Sequence, residues 1–268
     1  PLLAPALASA FARDVLDGLA GPRRHVPSVW LHDVRGAALF GRIAALETWT
    51  AARTEAAILA SSAPQIAAAA GPGAALIELG SDAGRHAPLL LQALRRPAAY
   101  VPVHIDAPVL ADAVAPLRAR FARLPVLPLA ADYTRLDGLP PEVSGRLGRA
   151  RRVVFLPGAA IGGFGPDAAV ALMARLGALA GPDGLFVVGA DSTLDPALLR
   201  QAHDDALGAH AAFHHNLLLR INRELDADFS PDAFRHEVRA DAAEPRIETH
   251  LVSVYTQRVH VLGRPFHF

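Results

Sequence analysis

The sequence predicts an α/β fold in which a doubly wound, mostly parallel sheet carries helices on both faces. Short apolar runs alternate with longer stretches of helical spacing through the middle of the chain, an order typical of βαβ units. In addition, the apolar run Ala75–Leu79 leads into a small-residue turn between Gly80 and Gly84, and a new helical run follows. A strand, a glycine turn and a helix in that order are typical of the first unit of a nucleotide-binding sheet.

The predicted elements follow one another regularly along the central part of the chain. Strands are expected at 75–79, 100–105, 126–129, 153–156 and 185–190. Helices are expected between and after them at 88–95, 108–123, 167–180 and 196–207. Before the sheet, helical spacing of apolar residues covers 1–20, 39–46 and 53–70. Glycine and proline end the first and the last of these three helices.

Beyond residue 207 the pattern changes to that of an α+β segment. We expect a helix at 211–225, hairpin-like strands at 235–240 and 246–255, and a last strand at 259–268. A last strand without a partner in the chain would offer its edge to a protein partner or to a second copy. We therefore divide the chain into a helical part (1–70), a sheet core (71–207) and a C-terminal part (208–268).

Composition excludes several classes of function. The 26 basic residues balance the 26 acidic ones, so no overall field favours nucleic acid or an anionic membrane. No apolar run approaches the roughly 18 residues that a membrane helix needs. The absence of cysteine excludes disulfides, thiolate zinc sites and a cysteine nucleophile. With no signal-peptide pattern at the start either, we expect a cytoplasmic protein that acts on a small molecule.

Motifs in a fixed order run from about residue 30 to the C-terminus. They include Asp33-Val34-Arg35-Gly36, Arg53-Thr54-Glu55, Glu78-Leu79-Gly80-Ser81, Tyr100-Val101-Pro102-Val103, Ala131-Asp132-Tyr133-Thr134 and Ile221-Asn222-Arg223-Glu224-Leu225. This series resembles the ergothioneine-pathway L-histidine Nα-methyltransferases. The resemblance implies a Rossmann-like, S-adenosylmethionine-dependent methyltransferase. It also implies a smaller substrate-binding α+β part built from the N-terminal and C-terminal segments.

On the cofactor side, the resemblance implies that S-adenosylmethionine binds at the turn after the first strand and at the ends of the next two strands. The implied contacts are Glu78, Gly80, Ser81, His104, Asp106, Asp132 and Tyr133. His104 stands where the family has the aspartate that holds the ribose, and Asp106 lies on the same strand face. Asp132 and Tyr133 match the family's adenine contacts. Asp82 replaces a glycine and would bring a like charge towards the cofactor carboxylate.

On the substrate side, most of the implied contacts differ from the family pattern. His32 and His203 replace tyrosines, Trp49 stands in a segment that is Tyr-Tyr-Pro in the family, and Gly163 replaces an asparagine. Asn216 completes the implied set. His32 or His203 would take a proton from the attacking amine. The expected acceptor is a small amine or an amino-acid-like molecule. In the family, a Glu and a Ser that bind the imidazole lie in a segment beyond the position that corresponds to Phe268.

Two other functions are compatible with the same residues. The changes at Asp82 and His104 suit a relative that has lost its cofactor and serves as a binding subunit. Alternatively, the imidazoles of His32, His104 and His203 could converge with Asp82 on a divalent metal, a ligand set suited to zinc, iron, copper or nickel. No short-range ligand spacing in the sequence supports the metal site.

Overall fold

The computed structural model describes residues 5–80, 85–158, 160–193, 195–241 and 246–268. Its strands are β1 (Ala75–Leu79), β2 (Ala99–His104), β3 (Leu129–Ala130), β4 (Arg152–Leu156), β5 (Leu185–Val188), β6 (Phe234–Asp241), β7 (Arg246–Ser253), β8 (Arg258–Val261) and β9 (Arg264–His267). Its helices are α1 (Pro5–Ala20), α2 (Val34–Ala44), α3 (Ala51–Ala70), α4 (Ala87–Ala93), α5 (Ala107–Arg120), α6 (Pro141–Leu147), α7 (Pro166–Ala180), α8 (Pro196–His203) and α9 (Ala209–Glu224). The chain forms two compact units, a sheet unit (Ala51–Asp191) and a terminal unit (Pro1–Thr50 with Ser192–Phe268).

The sheet unit contains a five-stranded parallel sheet in the order β3-β2-β1-β4-β5. The chain moves outward from β1 to β3 on one side and then returns to build β4 and β5 on the other side. Strand order therefore reverses between β1 and β4, and ligands of open α/β sheets bind beyond the carboxyl ends of the strands at such a reversal. Every residue of β1 and β2 is buried, as expected for central parallel strands. These features confirm the predicted fold class.

Helices cover both faces of this sheet. Successive side chains of a strand point to opposite faces, so Leu76 and Ile77 belong to different cores. Leu76 packs in a core with residues of α3, α4 and α5, whereas Ile77 packs with residues of α6 and α7. Both packed layers come from the sheet unit alone.

Two helices of the sheet unit differ from the expectation. α3 packs on the sheet through Leu59, Ala63 and Ala67, which recur every four residues on one helix face. The sequence division had placed this helix with the N-terminal part. α6 was not predicted because it has only seven residues and begins at a Pro-Pro pair, which reads as a break. Proline is nevertheless favourable at the first position of a helix, where no backbone N–H is needed.

In the terminal unit, α2 and α9 pack together through Leu39, Ile43 and Phe213. β6 and β7 form the predicted antiparallel hairpin. The single last strand predicted at 259–268 is wrong, because β8 and β9 form a second hairpin. Leu262 and Gly263 turn the chain with φ angles of +51° and +75°, the sign that tight hairpin turns require. Since β9 has its partner within the chain, the reason for expecting a protein partner at a lone last strand is removed.

None of the described helices is long and apolar enough to cross a membrane.

Candidate active site

The turn after β1 opens at Gly80. Its φ of +108° lies in a region that residues with a side chain rarely adopt, and its N–H donates to the Val103 carbonyl at 3.1 Å. Of the described residues, a Cβ at this position would meet only the Cε1 atom of Tyr133, 3.9 Å away. The backbone is thus held against β2, and the described part of the chain leaves room for a close ligand approach. Ser81 and Asp82 lie outside the described residues.

Glu78 lies one residue before the end of β1 and is fully buried. A buried carboxylate without partners would be costly, and here its Oε2 atom accepts a hydrogen bond from the Tyr100 hydroxyl on β2. Tyr100 is also fully buried. The carboxylate is therefore fixed on the face that carries α3, α4 and α5, and a contact between Glu78 and the cofactor stays a prediction.

His104 and Asp106 occupy the carboxyl end of β2. The Nδ1 atom of His104 accepts the Asp106 N–H at 3.0 Å, so the ring is bent back onto its own strand end. The Asp106 carboxylate accepts the Val109 N–H at 3.1 Å and caps α5. Both side chains thus have a local structural role at the position predicted for the ribose.

Asp132 and Tyr133 follow β3. One carboxylate oxygen of Asp132 accepts the Thr134 N–H at 2.9 Å and the Thr134 hydroxyl at 2.6 Å, and the other lies 3.5 Å from the Arg135 guanidinium. Burial, together with the nearby charge of Asp132, raises the pKa of Tyr133 to about 12. Its phenol is therefore protonated at neutral pH and can donate a hydrogen bond.

These residues meet at the carboxyl ends of three neighbouring strands, β1, β2 and β3. They provide a glycine turn, buried carboxylates at three strand ends and a phenol donor. Such a set fits S-adenosylmethionine, which presents a ribose, an adenine and an amino-acid group to the protein. Gly80, Asp132 and Tyr133 would hold it, because a side chain at Gly80 would occupy the open space and Tyr133 borders that space.

A separate group of rings lies in the terminal unit, which we call the imidazole–aromatic cluster. Its members are His32, Phe40, Trp49, His203, His210 and Phe213. The His32 ring lies 5.4 Å from that of Phe213, and the Trp49 ring lies 5.1 Å from that of His203. The Phe40 ring lies 5.7 Å from that of His32 and 6.4 Å from that of Trp49, so it connects the His32–Phe213 pair to the Trp49–His203 pair. The structure thus brings together three predicted acceptor residues, His32, Trp49 and His203.

His210 also belongs to this cluster, although it is not one of the predicted site residues. It is buried, and its Nδ1 atom lies 2.8 Å from the Asp205 carboxylate. Asp205 also accepts the N–H groups of Ala209 and His210 at 2.8 Å, so it caps α9. Burial alone would raise the pKa of Asp205, but these hydrogen bonds outweigh it and lower the pKa to about 2. His210 could have been found from the sequence by one signal, an acidic residue just before a helix that is followed five residues later by a histidine.

His214 and His236 lie beside the cluster with their rings stacked 5.0 Å apart. Burial, and then the nearby charge of His236, lowers the pKa of His214 to about 3. In the unfolded chain the pKa of histidine is about 6.5. On acidification the unfolded state therefore takes up a proton at a higher pH than the folded state does. Stability should therefore fall as the pH drops below about 6.5.

Replacing His214 with leucine should make the protein less sensitive to mild acid. The free energy of unfolding of His214→Leu should change less between pH 7 and pH 5 than that of the unmodified protein, because this proton uptake on unfolding is lost. Urea titrations at several pH values would measure it. His25→Leu, at an exposed histidine, serves as the control and should keep the original pH dependence. An unchanged slope in His214→Leu would contradict the prediction.

Asn216 and Gly163 complete the predicted acceptor residues. The Asn216 amide nitrogen donates to Asp33 at 2.8 Å, and its buried oxygen has no hydrogen-bond partner among the described residues. The oxygen could accept an N–H from a ligand. Gly163 ends a short 3-10 helix, Ala160–Gly163, in the sheet unit.

The three predicted metal ligands that the structure describes, His32, His104 and His203, do not form a metal site. Within the part of the chain that the structure describes, no three or more His, Asp or Glu side chains are grouped so that they could hold a metal ion. His32 and His203 belong to the terminal unit, whereas His104 belongs to the sheet unit. Asp82 is outside the described residues.

The sheet order defines a Rossmann-like fold, a class of protein whose ligands bind beyond the carboxyl ends of the strands. The chain belongs to the histidine-specific, S-adenosylmethionine-dependent methyltransferase family, whose model matches residues 11–268. It is 36% identical over 263 residues to the histidine N-alpha-methyltransferase of Mycolicibacterium smegmatis, covering 97% of this chain and 80% of that protein. The enzyme of the same name from Mycobacterium tuberculosis is 35% identical over 256 residues, which cover 94% of this chain and 77% of that protein.

Among solved structures, magnesium protoporphyrin IX methyltransferase from Synechocystis with bound SAH aligns with a TM-score of 0.43 and 14% identity. The alignment covers 82% of this chain and 95% of that chain.

Membership of this family confirms the predicted class, reaction and cofactor. The protein is an enzyme that transfers a methyl group from S-adenosylmethionine to a small-molecule acceptor. Neither alternative, a cofactor-free binding subunit or a metal-dependent enzyme, receives support from the comparisons.

Proposed function

We propose that the protein methylates the α-amino group of histidine or of a close analogue with a planar ring. The observation that carries this proposal is the imidazole–aromatic cluster, which unites His32, Trp49 and His203 around Phe40 and Phe213. Aromatic faces and edges pack favourably against another flat ring. The names of the mycobacterial relatives point to the same acceptor.

Methyl transfer to an amine does not require a highly reactive side chain. S-adenosylmethionine supplies an electrophilic methyl group on a sulfonium centre, and a neutral amine attacks it in line. The protein must position the amine, exclude water and remove a proton from it. We assign acceptor binding to the imidazole–aromatic cluster together with Gly163, and cofactor binding to Gly80, Asp132 and Tyr133.

His203 is the better placed of the two predicted proton acceptors. Its Nδ1 atom lies 2.9 Å from the Leu199 carbonyl, which can only accept, so the ring proton sits on Nδ1. In the neutral ring the lone pair is then on Nε2, as proton acceptance requires. His32, whose ring packs against Phe40 and Phe213, is the alternative acceptor.

A panel of amines tests the acceptor. Histidine, phenylalanine, glycine and histamine would each be incubated with enzyme and S-adenosylmethionine, and N-methylated products followed by mass spectrometry. We expect histidine to react fastest and glycine, which has no ring, to react at least about tenfold more slowly, since a buried ring contributes roughly 1–3 kcal/mol. Protein that binds S-adenosylhomocysteine but methylates no ring-bearing amino acid would contradict the proposal.

A variant of His203 tests the assigned role within the same assay. His203→Phe keeps a ring against Trp49 but cannot accept a proton, so kcat should fall about tenfold, with His32 supplying the remaining activity. The affinity for S-adenosylhomocysteine should stay unchanged. His25→Phe, at an exposed position, is the matched control and should keep full activity.

The cytoplasmic location stays a proposal that rests on the cysteine-free sequence. Cell fractionation followed by activity measurement would test it. Recovery of the activity in an extracellular fraction would contradict it.

A further inference from the structure

Glu55, on α3, touches the connection that follows β4. Its Oε1 atom accepts the Gly158 N–H at 2.7 Å, and its side chain is 12% exposed. The two residues are separated by 103 positions in the sequence. A single carboxylate thus holds the backbone two residues beyond the last residue of β4.

The Glu55 carboxylate has room because the residues near it after β4 and after β5, Gly158 and Gly189, have no side chain. A Cβ at Gly189, directly after β5, would lie 2.3 Å from the Glu55 Oε1 atom and 3.0 Å from the Gly158 nitrogen. Contacts under 3.0 Å are not tolerated without movement, and the Glu55 carboxylate, at the far end of a flexible side chain, is the group that can move most easily. Gly158 itself has a φ of +67°, which also favours glycine.

The second carboxylate oxygen faces the connection that follows β1. Oε2 lies 3.3 Å from the Nδ1 atom of His86, whose side chain is 2% exposed. Neither atom has a hydrogen-bond partner among the described residues. His86 precedes the first residue of α4, and the connection that ends there begins at Gly80. Glu55 therefore contacts the connections after β1 and after β4, two strands that are neighbours in the sheet.

We propose that Glu55 is a positioning residue for methyl transfer, which holds these two connections at a fixed separation. The β1 connection carries the glycine turn assigned to the cofactor, and the β4 connection runs on to Gly163, a predicted acceptor contact. Methyl transfer depends chiefly on the relative placement of donor and acceptor, and a displacement of about 1 Å can cost about 100-fold in rate. This inference rests on the proposed function for the acceptor side only.

Variants of Glu55 separate positioning from folding. Glu55→Ala should lower kcat/KM by about 10- to 100-fold, mainly through kcat, and should weaken binding of S-adenosylhomocysteine about tenfold. Glu55→Gln keeps an oxygen for the Gly158 N–H and should recover kcat to within about fivefold of the unmodified enzyme. Circular dichroism would fix a temperature at which both variants are fully folded. Unchanged kcat in folded Glu55→Ala, or equal damage in both variants, would overturn the proposal.

Gly189→Ala provides an independent test because it moves the carboxylate without changing its chemistry. In the unmodified protein it should reproduce the losses of Glu55→Ala. In a Glu55→Ala background the severe clash is gone and only the 3.0 Å contact with the Gly158 nitrogen remains, so the same substitution should add less than about threefold. Additive losses would contradict the proposal, since they would assign separate roles to the two positions.

Measurements of S-adenosylhomocysteine binding test the role of Glu55 without requiring that the acceptor is known. Calorimetric titration of S-adenosylhomocysteine into the four proteins of this cycle needs no methylation product. A protein that binds S-adenosylhomocysteine but leaves histidine unmodified would refute the proposed acceptor, while the coupling between Glu55 and Gly189 would still be measured.

Discussion

Replacing Gly80 with valine should abolish detectable methyl transfer and weaken the binding of S-adenosylmethionine by at least about 100-fold. The φ of +108° at this residue is strained for any side chain and more so for a β-branched one. Holding a residue in such a region costs about 1–3 kcal/mol, so the turn would relax to another conformation. That change would move the backbone that lines the cofactor site and would put a side chain into the open space in front of it.

A matched variant shows whether the loss is specific to the site. Gly73 also has a positive φ, of +74°, and no atom of the described residues lies within 4 Å of an added Cβ, but it precedes β1 at the opposite end of the strand. Gly73→Val should therefore cost a similar amount of stability and leave cofactor affinity within about threefold of the original. Calorimetric titration with S-adenosylmethionine measures both variants. Equal losses of affinity would show that general destabilisation, not the turn, is responsible.

The central sheet could be predicted because its strands are buried on both faces and read as short apolar runs. β1 was predicted with its observed bounds for this reason. The third strand was harder, since 126–129 was expected and only Leu129–Ala130 pairs as a strand, with Val126 forming one isolated bridge to Tyr100. Two positive φ angles at Leu262 and Gly263 split the last predicted strand, and apolar spacing alone does not reveal such a turn.

The candidate site could be predicted only as a set of positions on motifs. The family pattern gave Gly80 and Asp132, but pairings across long stretches of sequence leave no local signal. The contact between Glu55 and Gly158 and the hydrogen bond between Asn216 and Asp33 are of this kind. His210 was missed for a different reason, because a histidine near a helix start is usually exposed, and here Asp205 fixes it in the interior.

Asp33 stabilises the terminal unit by linking α2 to α9, and its replacement by alanine should lower the free energy of unfolding by about 3 kcal/mol. One carboxylate oxygen accepts the Gly36 N–H at 2.7 Å, which caps α2, and the Asn216 amide at 2.8 Å. The other accepts from Arg223 at 2.7 Å. Loss of the cap costs about 1 kcal/mol, and a buried amide left without an acceptor costs about 1–3 kcal/mol. Because the Arg223 side chain is 52% exposed, that ion pair adds little.

The charge of Asp33 gives this stabilisation a defined pH dependence. Burial alone would raise the pKa of Asp33, but hydrogen bonds from Gly36, Arg223 and Asn216, and the charge of Arg220, outweigh it and lower the pKa. An unfolded aspartate has a pKa of about 3.9, so below that pH the unfolded chain binds the proton more readily. The stabilisation is therefore present above about pH 4 and is lost as the pH falls further.

Asp33→Asn isolates the charge from the cap. Asparagine caps a helix as well as aspartate does and can still accept from Asn216, so this variant should lose only about 1 kcal/mol at pH 7. The difference in free energy of unfolding between the unmodified protein and Asp33→Asn should stay constant from pH 7 to pH 5. It should then shrink below about pH 4, where Asp33 takes up a proton in the unfolded chain before it does so in the folded protein. Urea titrations across this range decide the matter, since a difference that persists undiminished at pH 3 would mean that the charge of Asp33 does not stabilise the fold.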